Sequence, residues 1–186
     1  PLQGTFKGYE IVSMPPSSSG GVHLIQMLNM LEPFSLKEMG FGSAQSIHLM
    51  SEVMKRAYAD RSKYLGDTDF VSVPLKGLTD KEYAKELLKE ISLTKVTPSK
   101  SISNGNPLPY ESPDTTHFSV MDSEGNVVSN TYTLNFSYGS GIVIPGTGIL
   151  MNNEMDDFSS KKGVPNAYGL VGYEANEIEG QKRPLS

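Results

Sequence analysis

Two threonines carry the sharpest chemical signal in this 186-residue chain. The runs Thr115-Thr-His-Phe-Ser-Val-Met121 and Val127-Val-Ser-Asn-Thr-Tyr-Thr-Leu134 are rich in β-branched and aromatic residues. They are joined by Asp122-Ser-Glu-Gly-Asn126, and a Gly-Asn turn between two such runs predicts a hairpin. With the turn centred on Glu124, Met121 faces Val127 and Thr115 faces Thr133. Directly opposed residues have Cβ atoms about 4.5–5.5 Å apart, so the two hydroxyls can meet. A Thr hydroxyl is a weak nucleophile until a base takes its proton. One source of that base is the α-amine of the same Thr, freed when the preceding peptide bond is cut. Thr115 suits this scheme because it starts a strand behind a Pro-rich stretch. Cutting at Asp114–Thr115 would bring amine and hydroxyl together at a sheet edge. The alternative is a Thr–Thr cross-strand pair of purely structural value, and a one-residue slip of the turn would separate the two side chains.

The second constellation is Asn152-Asn-Glu-Met-Asp-Asp-Phe158, where two amides and three carboxylates follow the apolar Ile149-Leu-Met151. Carboxylates beside an apolar segment can hold an ammonium group. A calcium loop is the rival, but the D-x-[DN]-x-[DN]-G spacing is missing. A solvated acidic loop is the plainest alternative, and Asp67-Thr-Asp69 reads as solvated surface in the same way. Gly139-Ser-Gly141 and Gly146-Thr-Gly148 lack the Lys-[Ser/Thr] of a phosphate loop, so they read as loop glycines that let backbones approach closely.

The elements that position these residues divide near residue 100, with helical patterns before and strand or loop patterns after. Tyr9–Met14 predicts a short strand, stopped by Pro15-Pro-Ser-Ser-Ser-Gly-Gly21. Ser18 or Ser19 is the expected N-cap of a helix carrying Val22, Ile25, Leu28 and Leu31 at helical spacing, ended by Pro33. A longer helix starts at the cap Ser43. Its expected inner face holds Ile47, Met50, Val53 or Met54, Ala57, Tyr58, Tyr64 and Leu65, and its outer face Glu52, Lys55, Arg56 and Asp60. Gly66 fits the position just past its end. Thr79 with Glu82 reads as a capping box for a third, shorter helix. Residues 92–114 contain Pro98, Pro107, Pro109 and Pro113 and read as an exposed or mobile connection. No internal repeat is evident.

Composition removes several function classes. The formal net charge is −5 and no basic stripe is visible, which argues against nucleic-acid binding; Lys161-Lys162 and Lys182-Arg183 read as solvated surface pairs. With no Cys, this chain has no disulfide, thiolate metal site or Cys nucleophile. Its three His are scattered without ligand spacing, so no metal is expected. No apolar run reaches the roughly 18 residues of a membrane span, and the start of the chain does not read as a signal peptide.

Seven stretches in order, from about residue 4 to the last residue, resemble the γ-glutamyltranspeptidase family. They are Met14-Pro-Pro-Ser-Ser-Ser-Gly-Gly21; Tyr58-Ala-Asp-Arg-Ser62 with Tyr64-Leu-Gly66; Thr115-Thr-His-Phe-Ser119; Thr131-Tyr-Thr-Leu-Asn135; Asn152–Phe158; Pro165-Asn166 with Tyr168-Gly-Leu-Val-Gly172; and Lys182-Arg-Pro-Leu-Ser186. The resemblance implies an α+β fold, the αββα sandwich of N-terminal-nucleophile hydrolases, incomplete in this stretch. It implies a precursor that cuts itself between Asp114 and Thr115. Residues 1–114 would be the C-terminal part of a large subunit and residues 115–186 the N-terminal part of a small one. The freed Thr115 would attack the γ-amide of glutathione or another γ-glutamyl compound, with water or an acceptor amino acid or peptide receiving the γ-glutamyl group. No cofactor is implied.

By the same resemblance Thr133 is the second hydroxyl beside the nucleophile. Asn135, Glu154 and Asp157 hold the α-amino group, Tyr168 sits on a mobile lid, and Ser186 contacts the α-carboxylate. Gly163, Pro165, Gly169 and Gly172 suit such a lid. The family's substrate-carboxylate Arg and the Gly-Gly pair of its oxyanion hole have no counterpart here. The remaining large- and small-subunit segments are therefore expected partners, and this stretch alone is expected to be inactive. The family suggests a periplasmic or secreted enzyme. Related amidases of the same fold are the alternative, either a β-lactam acylase or a poly-γ-glutamate-processing enzyme. A non-catalytic binding relative is the reading from another class.

Overall fold

The computed structural model describes residues 1–110 and 134–185. The chain opens with an antiparallel hairpin, β1 (Leu2–Phe6) and β2 (Tyr9–Ser13), in which Leu2 pairs with Ser13 and Phe6 with Tyr9. β2 is the strand expected at Tyr9–Met14, whereas β1 had no sequence signal. The hairpin turns at Lys7 and Gly8, both at positive φ (50° and 86°), as a two-residue turn that follows the strand twist requires.

Five helices follow among the described residues: α1 (Gly20–Leu31), α2 (Leu36–Met39), α3 (Ala44–Tyr64), α4 (Leu75–Thr79) and α5 (Lys81–Lys89). α1 packs on α3, α4, α5 and β1. The core between them includes Val22, Met30, Leu49, Val53, Ala57, Leu78, Tyr83 and Leu87, and Leu185 joins it from the far end of the chain. Burying one such side chain contributes about 1.5–3 kcal/mol.

Helix ends bear out two expected caps, one of them as Ser18 of the pair Ser18 or Ser19, and move the third. Ser43 caps α3, its side chain accepting from Ser46 N at 3.1 Å. Ser19 does not cap α1. Its backbone is already helical, and Ser18 Oγ accepts from Gly20 N instead, at 3.3 Å. The cap of α5 is Asp80, one residue past the expected Thr79, with its carboxylate accepting from Glu82 N (2.7 Å) and Tyr83 N (3.2 Å). Thr79 Oγ1 turns back into α4 and donates to Leu75 O at 2.8 Å. A carboxylate suits the positive end of a helix better than a hydroxyl, and a helix uses only one cap.

The face assigned to α3 needs a larger correction. Ile47, Met50, Met54 and Tyr58 are exposed, while Glu52, Arg56 and Asp60 are buried at 0%, 2% and 1% exposure. Leu49, Val53 and Ala57 bury beside them. The polar stripe, spaced four residues apart, faces the segment after α5. Glu52 Oε2 accepts from Arg56 Nη1 at 2.6 Å, and its Oε1 accepts from Thr97 N at 3.0 Å. Arg56 Nη2 donates to Glu90 O at 2.8 Å, and Lys55 Nζ donates to Thr97 O at 2.9 Å. Asp60 accepts from Gln26 Nε2 (2.6 Å), Tyr83 Oη (2.8 Å) and Gly105 N (2.8 Å). Residues 92–110 are mostly exposed, as expected of them, but are tied to α3 at Thr97 and Gly105. Burial works to raise the Glu52 pKa, but its bonds to Lys55, Thr97 and Arg56 outweigh it and hold the pKa at about 2.

Residues 134–185 have no long element. Single antiparallel bridges join Val143 to Leu150 and Pro165 to Val171, and a parallel one joins Ser159 to Glu177. Short 3-10 turns cover Glu154–Asp157 and Glu174–Asn176. The described fold is mixed α and β. No helix among the described residues is long and apolar enough to cross a membrane.

Candidate functional site

The acidic loop folds into a 3-10 turn that brings its first and last carboxylates together. In Glu154–Asp157, residues three apart eclipse, so the side chains of Glu154 and Asp157 meet. Burial first, and then the hydrogen bond to and charge of Asp157, push the Glu154 pKa above its ordinary value. Burial also raises Asp157, against the Glu154 hydrogen bond and the positive charge of Arg61, which pull it down. Glu154 Oε1 is buried and finds no hydrogen-bond donor among the described residues. Two carboxyls and an unfilled acceptor are able to receive a cation that donates N–H bonds.

Asn135 stands beside this pair. Its backbone takes the left-handed conformation (φ 70°), which Asn tolerates better than most residues. Its Nδ2 donates to Asn153 O at 3.2 Å, and Asn153 Oδ1 accepts from Phe136 N at 3.0 Å. Tyr168 closes over them: its Oη donates to Asn135 O at 2.8 Å, and its ring packs edge-on against Phe136 at 5.0 Å. Tyr168 sits at the tip of a hairpin closed by the Pro165–Val171 bridge. Asn166 Oδ1 caps that tip by accepting from Tyr168 N (3.1 Å) and Leu170 N (2.9 Å).

The helical half supplies a cation on the opposite wall. Arg61, in the last turn of α3, lines a narrow cleft with Asp157, Asn176 and Leu185. It donates through Nε to Ser19 Oγ (3.3 Å) and through Nη2 to Leu185 O (3.5 Å). A wider cleft of about 280 Å³ opens next to it, between Lys55 and Tyr58 of α3, Ile102, and the returning strand Gly169–Val171.

Asp67 and Lys182 overturn two surface readings, while Arg183 stays half exposed as expected. Asp67 is fully buried, and Arg183 grips it with a fork: N and Nε donate to Oδ2 at 2.8 Å and Nη2 to Oδ1 at 2.5 Å, while Nη2 also reaches Asp69. Lys182 is buried as well, its ammonium 6.0 Å from the Phe70 ring centre. The fork holds the Asp67 pKa at about 2. Nearby, Gly66 passes so close to Ala175 that an added Cβ would lie 2.2 Å from its carbonyl oxygen, which explains Gly there without a left-handed turn.

Of the residues singled out from sequence, Asn135, Glu154, Asp157 and Tyr168 come together in one place. Asp114, Thr115, Thr133 and Ser186 lie outside the described residues, as does the expected hairpin. Sequence reasoning passed over Arg61, although it lies within the quoted Tyr58-Ala-Asp-Arg-Ser62. It also passed over Asn176, which no local pattern marks. Among the described residues no group of three or more His, Asp or Glu could hold a metal ion.

The chain has relatives among known proteins. The glutathione hydrolase proenzyme of Escherichia coli (strain K12) is 56% identical over 186 residues, all of this chain and 32% of that protein. This chain therefore spans about a third of that relative's length. Among solved structures, γ-glutamyltranspeptidase of Helicobacter pylori matches with a TM-score of 0.55 and 50% identity, over 56% of this chain and 30% of that one. Cephalosporin acylase of Bacillus halodurans matches with a TM-score of 0.72 and 27% identity, over 100% of this chain and 30% of that one. The family model described as gamma-glutamyltranspeptidase matches residues 1–186, and the chain belongs to that family.

Proposed function

We propose that this chain is the central part of a self-cleaving γ-glutamyl transferase or glutathione hydrolase with the αββα sandwich of N-terminal-nucleophile hydrolases. The observation that carries the reading is the Glu154–Asp157 pair with its unfilled buried acceptor, set between Asn135, Tyr168 and Arg61. An α-ammonium group supplies the N–H donors and the positive charge that this arrangement lacks.

Residues 1–114 belong to the large subunit and 115–186 to the small one, separated by cleavage between Asp114 and Thr115. The Thr115 amine takes the hydroxyl proton while Oγ attacks the γ-carbonyl, with Thr133 beside it. The leaving amine departs with a proton, and water or an acceptor amine then attacks the γ-glutamyl ester and restores Thr115. Asn135, Glu154 and Asp157 hold the ammonium, Ser186 the carboxylate, and Tyr168 covers both. Glutathione and similar γ-glutamyl amides are the donors, and the enzyme works outside the cytoplasm, periplasmic or secreted.

The full-length protein tests this directly. Intact mass is expected to reveal two chains divided before Thr115, with turnover of a γ-glutamyl anilide. Thr115→Ala is expected to leave one uncut, inactive chain; cleavage that survived this change would overturn the mechanism.

The likeness to a cephalosporin acylase along the whole chain favours a second reading, a β-lactam acylase of the same fold. Asp157→Ala separates the two. It is expected to cost γ-glutamyl turnover about a hundredfold, the scale of one buried charge-assisted contact. Unchanged turnover would favour the acylase.

A further inference from the structure

We propose that Asn176 is a positioning residue that fixes the distance between the ammonium-binding and carboxylate-binding ends of the γ-glutamyl site, and so sets the preference for donors with a free α-amine. The inference rests on the functional reading above and deepens it.

Both ends of the Asn176 amide are engaged. Nδ2 donates to Asp157 O at 2.7 Å, and Oδ1 accepts from Leu185 N at 3.0 Å. Asp157 is the carboxylate read as holding the ammonium, and Leu185 directly precedes Ser186, read as holding the carboxylate. No helix longer than a 3-10 turn lies between Asp157 and Leu185, and the bridge in that stretch nearest to both, Ser159 to Glu177, includes neither residue. One side chain spans their separation.

That side chain is itself well anchored. Asn176 is 5% exposed. Its carbonyl accepts from Ser159 N at 2.8 Å, and its N–H donates to Tyr173 O at 3.1 Å. The preceding carbonyl, of Ala175, lies against Gly66 just past α3. Arg61, bonded to Leu185 O and sharing a cleft with Asp157, braces both ends from the helical side. Only a carboxamide offers one donor and one acceptor at this spacing. Asp at this position keeps the acceptor for Leu185 N–H but sets a second acceptor against Asp157 O, and Ala provides neither.

The test compares two donors on the full-length protein: γ-glutamyl-p-nitroanilide and glutaryl-p-nitroanilide, which differ only in the α-amine. Wild type is expected to favour the γ-glutamyl donor. In Asn176→Ala and Asn176→Asp the ratio of the two kcat/KM values is expected to fall about tenfold, chiefly through a higher KM for the γ-glutamyl donor. A merely structural role would lower both donors alike and leave the ratio unchanged, which overturns the inference. If Asn176→Ala does not mature, Asn176→Asp carries the test, since it keeps the volume and the bond to Leu185. Failure of both to mature would make the amide a folding determinant and overturn the proposal. A wild type without γ-glutamyl preference would instead overturn the functional reading, and the inference with it.

Discussion

In residues 1–110 the polar bonds between distant segments run mainly through a charged stripe on α3, while side-chain atoms of His23, Gln26, Asn29 and Arg56 are buried with no partner among the described residues. In residues 134–185 the same task falls to asparagine side chains. Asp60 holds partners from α1, α5 and the segment after α5, and Glu52 and Arg56 bond each other and that same segment. Asn135, Asn153, Asn166 and Asn176 each bond backbone groups of the loops around them. The first arrangement ties elements into one cooperative unit. The second sets loop geometry bond by bond and leaves Ile142, Val143, Ile149 and Met151 exposed. Damage to the first half should therefore appear as lost stability, and damage to the second as altered recognition.

Glu52→Ala puts that contrast under the heaviest load. It leaves Arg56 buried without its carboxylate, and unfolding should become easier by about 3–5 kcal/mol, read as a large fall in Tm. A small fall would mean that the helical half is not the cooperative unit described.

Acid should act next, through His23. Burial first, and then the Arg61 charge, hold the His23 pKa at about 4 against a weak opposing bond to Ala57. An unfolded His binds its proton near pH 6.5, so between about 6.5 and 4 the unfolded state carries the extra proton and stability falls as pH falls. The loss is on the order of 3 kcal/mol at the low end of that window. His23→Gln should flatten the dependence of Tm on pH there.

The Glu154–Asp157 pair should respond in recognition instead. Both pKa values are raised, and the ionised forms attract the ammonium. Donor KM should therefore fall as pH rises through the pair's titration, by up to about tenfold per pH unit for one proton released. Ionising the buried pair also costs folding stability, so its own contribution to Tm falls as pH rises, opposite in sign to that of His23. The smallest effect is expected from Asn166→Ala, which removes the cap from the Tyr168 hairpin. It should cost about 1 kcal/mol of local order and raise donor KM several-fold with Tm nearly unchanged. A fall in Tm as large as that of Glu52→Ala would erase the distinction between the halves.

Much of this organisation was legible in the residues. Helical spacing and Pro33 located α1, Ser43 located the start of α3, and the carboxylates near residue 155 located the acidic site. Other readings failed for identifiable reasons. Ile47, Met50 and Met54 repeat like a core face, yet they point outward because the inner side of α3 is filled by Leu49, Val53, Ala57 and the charged stripe. Pro and Ser marked residues 92–114 as an exposed or mobile connection; the exposure holds over 92–110, but the backbone bonds to Glu52 and Asp60 that anchor it leave no periodic trace. Asp67 looked like a solvent-facing charge because it was judged without Arg183, whose fork covers it.

What the order of residues settled was local: turn chemistry, caps, apolar spacing, and the grouping of Asn152–Phe158 within a single short stretch. These depend on neighbours a few positions away, which a reader of the chain can see. Which charges are buried, and what faces what, waited on the folded molecule. Asp67 meets Arg183, Asn176 joins Asp157 to Leu185, and Arg61 faces the acidic loop, each through contacts between groups distant in the chain. A buried ion or amide is tolerable only when its partner arrives, and that arrival is a property of packing.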